Sequence, residues 1–196
     1  MKHTIYLRSG RMFDFERIEA QVVDLDDIAL GLAHTNRYNG RTPGPYSVAQ
    51  HSLLVEALCF TDEGRFHGLI HDAAEAYIGD MPTPLKNMMA NYRDIERRVE
   101  QRIFREFNFN PKSTLAEVKW ADRRAMVIEV VQMFDHGART AFGFTKEEVE
   151  AAKDYIAEGH YISAVGYYET AKTRWLDTLS LHNIRRYEDS KGKRRA

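Results

Sequence analysis

Arg65-Phe66-His67-Gly68-Leu69-Ile70-His71-Asp72-Ala73-Ala74-Glu75-Ala76-Tyr77-Ile78-Gly79-Asp80 is the segment on which the fold and the chemistry turn. At helical spacing Phe66, Leu69, Ile70, Ala73 and Tyr77 share one face. Relative to His71, Asp72 falls at about 100° and Glu75 at about 40°. One imidazole and two carboxylates therefore gather away from the apolar stripe. Gly79 breaks the helix, and Asp80 sits just past the break. A solvated helix face usually carries Lys and Glu. A His-Asp doublet followed by Glu reads instead as a metal edge with an acid/base group beside it. For this triplet alone, a polar face that merely meets water is the competing reading.

Working upstream, Asp24 caps a helix whose Leu25, Ile28, Ala29 and Leu32 form a buried stripe. That helix runs through His34-Thr35-Asn36-Arg37-Tyr38 and stops at Asn39-Gly40. Pro43, Gly44 and Pro45 make the next loop rigid. Ser47 and Gln50 form a capping box for a helix in which Val48, Leu54, Val55 and Leu58 are apolar and His51 stands one turn in. Residues 4–15 alternate around Ser9-Gly10 and read as a hairpin, which must lean on the main body to be stable.

Downstream, Pro82 and Pro84 keep the segment after Asp80 from continuing as helix. Tyr92, Ile95, Val99 and Ile103 mark a helix that ends before Asn110-Pro111. Thr114 and Glu117 cap a long helix to about Phe134. Leu115, Val118, Ala125, Met126 and Met133 are its apolar positions, with Asp122 among them. Lys146 to Ala157 and Tyr161 to about Leu181 read as two last helices. Residues 191–196 form a basic tail expected to be disordered. Only the hairpin reads as strand, so the fold class is all-α.

The totals narrow the function. The chain has 196 residues and a formal net charge of −1, with 43% hydrophobic residues. It has neither the basic field of a nucleic-acid binder nor the acidic excess of a disordered chain. The single cysteine, Cys59, is expected to be a core thiol in a reducing compartment. No signal-peptide pattern or long apolar run appears, so a cytoplasmic protein without membrane contact is expected. No Walker A pattern suggests ATP-driven work.

His51, His71, Asp72 and Asp122 ask for one explanation. An unpaired inward carboxylate is costly, so Asp122 needs a cation or an arginine. Arg123 and Arg124 are the ordinary candidates, although they project differently on the helix. A divalent metal held by two imidazoles and two carboxylates would satisfy all four residues. This donor set suits Zn²⁺, Mn²⁺, Fe²⁺ or Co²⁺ better than Ca²⁺.

The ordered pattern H…HD…D resembles that of the HD-domain metal phosphohydrolases. Tyr46-Ser47-Val48-Ala49-Gln50-His51-Ser52, His71-Asp72-Ala73-Ala74-Glu75, Gly79-Asp80-Met81-Pro82-Thr83-Pro84-Leu85-Lys86 and Ala121-Asp122 look like the YfbR type of 5'-deoxynucleotidase. Asn36-Arg37-Tyr38 resembles that family's Asn-Arg-aromatic element. Ser9-Gly10-Arg11-Met12-Phe13-Asp14 and Asp26-Asp27-Ile28-Ala29 look closer to a branch that includes the phage dATP triphosphohydrolases called DatZ. The match covers roughly residues 5–135. It departs at Gln50, where the deoxynucleotidases tend to have Glu, and at Tyr38, which replaces a tryptophan of the monophosphate enzymes.

The expected organisation is a single HD domain over residues 1–190: a hairpin at about 4–15, an HD core at about 24–135 and C-terminal helices at about 145–182, the last in a region after residue 135 where no motif of the family is matched. The resemblance implies one divalent transition metal (Zn, Mn, Co or Fe, with Mg possible beside a triphosphate) on His51, His71, Asp72 and Asp122. Glu75 then matches the acidic residue beside the metal water, and Asp80 a second acid serving the water or the leaving 5'-oxygen. Arg37 and Lys86 match phosphate-facing positions. Lys119 could meet a longer phosphate chain, and Tyr38 stands at the sugar or base contact. The implied reaction frees a deoxynucleoside, with phosphate leaving a dNMP or triphosphate leaving a dNTP, dATP foremost.

Two rival functions are a ppGpp hydrolase and a non-enzymatic nucleotide-binding module. Ala76 argues against the first, which usually carries a Glu-Asp pair after the doublet. The intact set of Glu75, Asp80 and Arg37 argues against the second. A deoxynucleotide is the expected partner, and a dimer or larger homo-oligomer is expected from the apolar final helices. His34 and His67 read as structural; His136, His160 and His182 read as surface.

Overall fold

The computed structural model describes residues 2–160 and 168–193, with the side chains at 136, 184, 185 and 187–193 left aside. The protein is mostly helical. Its chain order is a hairpin of β1 (Thr4–Tyr6) and β2 (Met12–Asp14), then α1 (Leu25–His34), α2 (Val48–Leu58), α3 (Asp62–Ile70), α4 (Glu75–Ile78), α5 (Thr83–Lys86), α6 (Ala90–Glu106), α7 (Leu115–Met133), α8 (His136–Ala141), α9 (Lys146–Ala157) and α10 (Tyr168–Lys193). The expected all-α class with a short hairpin is what the chain forms. Among the described residues, no helix is long and apolar enough to cross a membrane.

The hairpin pairs antiparallel with Ile5 opposite Phe13. It leans on the body as its length requires: Phe13 stacks on Tyr77 of α4 at 4.3 Å, and the Ser9 hydroxyl donates to Asp27 of α1. Asp24 caps α1 by accepting from the Asp26 and Asp27 amides, and Ser47 with Gln50 forms the capping box of α2.

Two apolar clusters meet at α2. One joins Phe13, Ile28, Leu32, Val48, Phe66, Leu69, Ile70, Tyr77 and Trp175. The other joins Val55 and Leu58 to Val118, Ala125, Ile128 and Val131 of α7 and Ala152 of α9. His51 lies on α2 between these two sets of residues and is fully buried.

Several expectations are corrected. The segment 65–78 is not one helix. It breaks at residues 71–74, where the Ala73 amide bonds Ile70 O and the Glu75 amide bonds Asp72 O. These tighter i+3 bonds turn the chain by about 120° per residue, which narrows the offset of about 60° that a uniform helix leaves between Asp72 and Glu75. The helix α1 ends at His34, because the next residues pair with the strand-like entry to α2: Arg37 N donates to Tyr46 O and Val48 N to Thr35 O. Tyr38 and Asn39 then take left-handed backbone angles, φ 55° and 51°. A one-turn helix does form at Thr83–Lys86, since Pro84 sits in its first turn, where the missing amide costs nothing.

Thr114 stands at the N-cap position of α7, but its side chain makes no capping bond, and Glu117 is engaged elsewhere. Thr114 Oγ1 bonds Pro111 O, and Glu117 accepts from Phe60 N and from Thr61 at the start of α3. Leu115 is exposed. His182 is buried rather than at the surface, because α10 docks on α2 and α3. There Ala171, Trp175 and Leu179 are buried, Trp175 Nε1 donates to Leu69 O at 3.0 Å, and His182 Nε2 lies 3.1 Å from Glu56 Oε1. The helix α10 continues to Lys193, so residues 191–193 are helical; with no proline in that stretch, nothing forces an earlier stop. The start expected at Tyr161, residues 194–196 and the side chain of His136 lie outside what is described. Cys59 is a buried free thiol, and burial pushes its pKa up to about 12.

Candidate metal centre

Two helices and one broken turn converge on a single point. His51 comes from α2, His71 and Asp72 from the break between α3 and α4, and Asp122 from α7. His51 Nε2 lies 3.2 Å from Asp122 Oδ1 and 3.5 Å from Asp72 Oδ2. His71 Nε2 lies 3.1 Å from the same Asp72 oxygen. One ligand atom each from His51, His71 and Asp122 falls within 4.8 Å of the others.

The donor set fits a cation. Both Nε2 atoms are buried without a hydrogen-bond partner, despite the nearby carboxylates. They face a common point rather than pairing off. Atoms about 2.1 Å from one tetrahedral ion stand about 3.4 Å apart, close to the separations here. Each ring is held by its other nitrogen: His71 Nδ1 donates to Gly68 O at 2.7 Å, and His51 Nδ1 to Glu129 Oε1 at 2.6 Å. Such anchoring is the usual arrangement behind metal-ligating imidazoles.

Asp122 is placed differently from the sequence expectation. Its side chain is 47% exposed, so it faces the cluster from a solvated rim and is not driven there by burial. The ordinary partners are engaged elsewhere: Arg123 bonds Glu148 at 2.9 Å, and Arg124 lies over the rings of Trp120 and Tyr155.

The electrostatics follow from packing many charges into little water. Burial and the Arg37 charge oppose protonation of His51, but Glu129 and Asp122 outweigh them and push its pKa up to about 9. Burial would raise Asp72, yet His71, His51 and Arg37 hold it well below the usual carboxylate range. Burial, reinforced by the Asp72 and Asp80 carboxylates, drives Glu75 well above its ordinary value. Glu75 Oε2 is buried and unpaired. Asp80 is also raised, by burial and Asp72, against the pull of Arg37.

Arg37 stands beside this cluster, 3.7 Å from Asp72 and 3.2 Å from Glu129, with its side chain 13% exposed. Lys86 is tied to Glu96 of α6 at 2.5 Å. Tyr38 donates its hydroxyl to Glu129 at 2.5 Å, while its ring packs on Phe134 at 5.1 Å. The hydroxyl is thus turned toward protein. Lys119 is exposed, one turn before Asp122.

Glu129 and Glu96 escaped the sequence reading. A glutamate in a helix normally reads as a surface former. For Glu129 there was a usable signal: it interrupts Val127-Ile128-Glu129-Val130-Val131, and a carboxylate inside an apolar run needs a partner.

Comparison with known proteins agrees with this geometry. The family model of the YfbR-like 5'-deoxynucleotidases matches residues 46–154, more than half of the chain, including His51, the 71–72 doublet and Asp122. The chain is 35% identical over 114 residues to the uncharacterized protein YfdR of Escherichia coli K12, a match spanning 58% of this chain and 63% of YfdR. It is 34% identical over 137 residues to an uncharacterized protein of Rhodobacter capsulatus, covering 64% of this chain and 70% of that protein. With the converging imidazoles and carboxylates, these matches place the chain in the YfbR-like 5'-deoxynucleotidase family of HD-domain phosphohydrolases.

Proposed function

We propose that the protein hydrolyses the 5'-phosphate ester of 2'-deoxynucleotides with a divalent transition metal on His51, His71, Asp72 and Asp122. The observation that carries this reading is the pair of buried, unpartnered Nε2 atoms facing Asp72 and Asp122, with the unpaired Glu75 Oε2 close by. A divalent ion there supplies Lewis acidity, acidifying water and polarising a phosphoryl oxygen.

The chain's own residues do the rest. Arg37, whose contact to Asp72 is loose at 3.7 Å, takes phosphate charge and orients the group through its planar fork. Lys86 serves the same charge by leaving Glu96. Glu75 accepts the proton of the attacking water as the new O–P bond forms at the α-phosphorus. Asp80 delivers a proton to the 5'-oxygen as the old P–O bond breaks. Burial raises both carboxyls above their ordinary range, the kind of perturbation that proton-transfer groups in a cleft carry. The products are a deoxynucleoside with phosphate from a monophosphate, or with triphosphate from a dNTP such as dATP.

The test is a panel of dNMPs, dNTPs, NTPs and ppGpp with Mn²⁺, Co²⁺ or Zn²⁺, read by product chromatography. Deoxynucleoside with phosphate or triphosphate is expected. Turnover of ppGpp alone, or tight nucleotide binding without product, would refute the proposal. Asp72→Ala is expected to lose both metal and activity, whereas Glu75→Ala keeps the metal and loses turnover. An empty site in Glu75→Ala would overturn that division of roles.

A further inference from the structure

Glu129 lies two helical turns beyond Asp122 on α7, so the two carboxylates share a face and reach His51 from opposite ends of its ring. Asp122 stands at Nε2 and Glu129 at Nδ1. Glu129 is fully buried, and every polar neighbour it has here is a donor. Its Oε1 accepts from His51 Nδ1 and, at 2.9 Å, from the Tyr46 hydroxyl. Its Oε2 accepts from the Tyr38 hydroxyl and from Arg37 through Nε at 3.3 Å and a terminal nitrogen at 3.2 Å. One carboxylate thus holds a candidate metal ligand with one oxygen and the candidate phosphate-binding arginine with the other.

We infer that Glu129 is a positioning residue that couples metal retention to phosphate binding. By accepting the hydrogen bond from Nδ1–H it leaves Nε2 of His51 as the coordinating nitrogen, and by anchoring Arg37 it aims the guanidinium at the same centre. A carboxylate is needed because it is acceptor-only, with about four lone-pair sites. A glutamine of the same size offers one oxygen and an NH₂ group. The NH₂ must then face a donor in a site sealed from water, leaving a buried group unpaired. Tyr38 carries an unfavourable left-handed backbone, φ 55°, and its hydroxyl is spent on this carboxylate. That investment is consistent with a constellation whose geometry matters more than its stability. The inference rests on the hydrolase reading above, since it concerns the same centre.

The experiment measures Zn²⁺ affinity of the full chain by competition with a chromophoric chelator, for wild type and Glu129→Gln. It also follows dAMP and dATP kinetics at saturating Zn²⁺. Glu129→Gln is expected to bind Zn²⁺ about 10- to 100-fold more weakly. Once loaded, it should show a KM raised at least about fivefold, the sign of a misplaced guanidinium. A purely structural role lowers Tm and leaves both readouts alone. Zn²⁺ affinity within about threefold of wild type overturns the role of Glu129 alone. A wild type that retains no Zn²⁺ overturns the hydrolase reading with it. If Glu129→Gln does not fold, long-range ¹H–¹⁵N spectra of Zn²⁺-loaded wild type decide: His51 protonated at Nδ1 and metal-shifted at Nε2 is expected, and the reverse assignment refutes the inference.

Discussion

Gly31→Ala tests the packing that aims Glu75. A methyl built at Gly31 of α1 meets the Cβ of Ala76 at 2.8 Å, its carbonyl oxygen at 2.8 Å and its Cα at 2.9 Å. Two of these three atoms are backbone, so no flexible side chain can swing away. Carbon atoms pack comfortably at about 3.5–4.0 Å, so α1 and α4 must separate by roughly 0.7 Å or more. Overpacking of this kind costs about 1–3 kcal/mol, a Tm lower by about 2–12 °C for a chain of this size. Because α4 is a single turn that begins at Glu75, the displacement also moves that carboxylate, and misplacement by about 1 Å can cost 10²-fold in rate. The assays are thermal unfolding, Zn²⁺ affinity and kcat on dAMP. The expected pattern is a lower Tm and a kcat reduced about 10- to 100-fold, with Zn²⁺ affinity within about tenfold. Adding Ala76→Gly should recover only part of the Tm, since the backbone contacts persist. A Gly31→Ala protein with unchanged Tm would refute the close approach of the two helices.

His67 makes acid sensitivity predictable. It is buried against Thr114 Oγ1 at 2.8 Å, and burial, with the nearby His71 charge, lowers its pKa to about 4. An unfolded histidine takes its proton at about 6.5, so between those values the unfolded chain binds a proton that the folded chain refuses. Stability therefore falls as pH drops through that window, by at most about 3 kcal/mol. The stability gap between wild type and His67→Asn, from urea titrations at pH 7 and pH 4, should shrink accordingly; a constant gap would exclude the effect. Lys86→Ala is expected to raise KM most for phosphate-rich substrates, and Glu96→Gln, which frees Lys86, to lower it. An unchanged KM in both would remove Lys86 from phosphate binding.

What was legible in the linear chain was local. Capping residues and apolar spacing located α1, α2, α6, α7 and α9, and the order of His51, the 71–72 doublet and Asp122 pointed to a metal centre, because those donor types have few other reasons to recur together. The hairpin was equally visible from its alternation around Ser9-Gly10. The tertiary structure decided the rest, through interactions between residues far apart in sequence. The break at residues 71–74 brings Glu75 more nearly into line with Asp72 than the offset of about 60° that a uniform helical period gives. His182 is buried because α10 crosses α2 and α3, and its neighbours in the chain do not announce Glu56 as a partner 126 residues away. Asp122 stands at a solvated rim rather than in the core. Glu129 becomes the partner of His51, Arg37, Tyr38 and Tyr46 only once α7 packs beside α2. Helical periodicity tells which face of a segment is apolar; which distant carboxylate meets which imidazole is fixed only by how the helices pack.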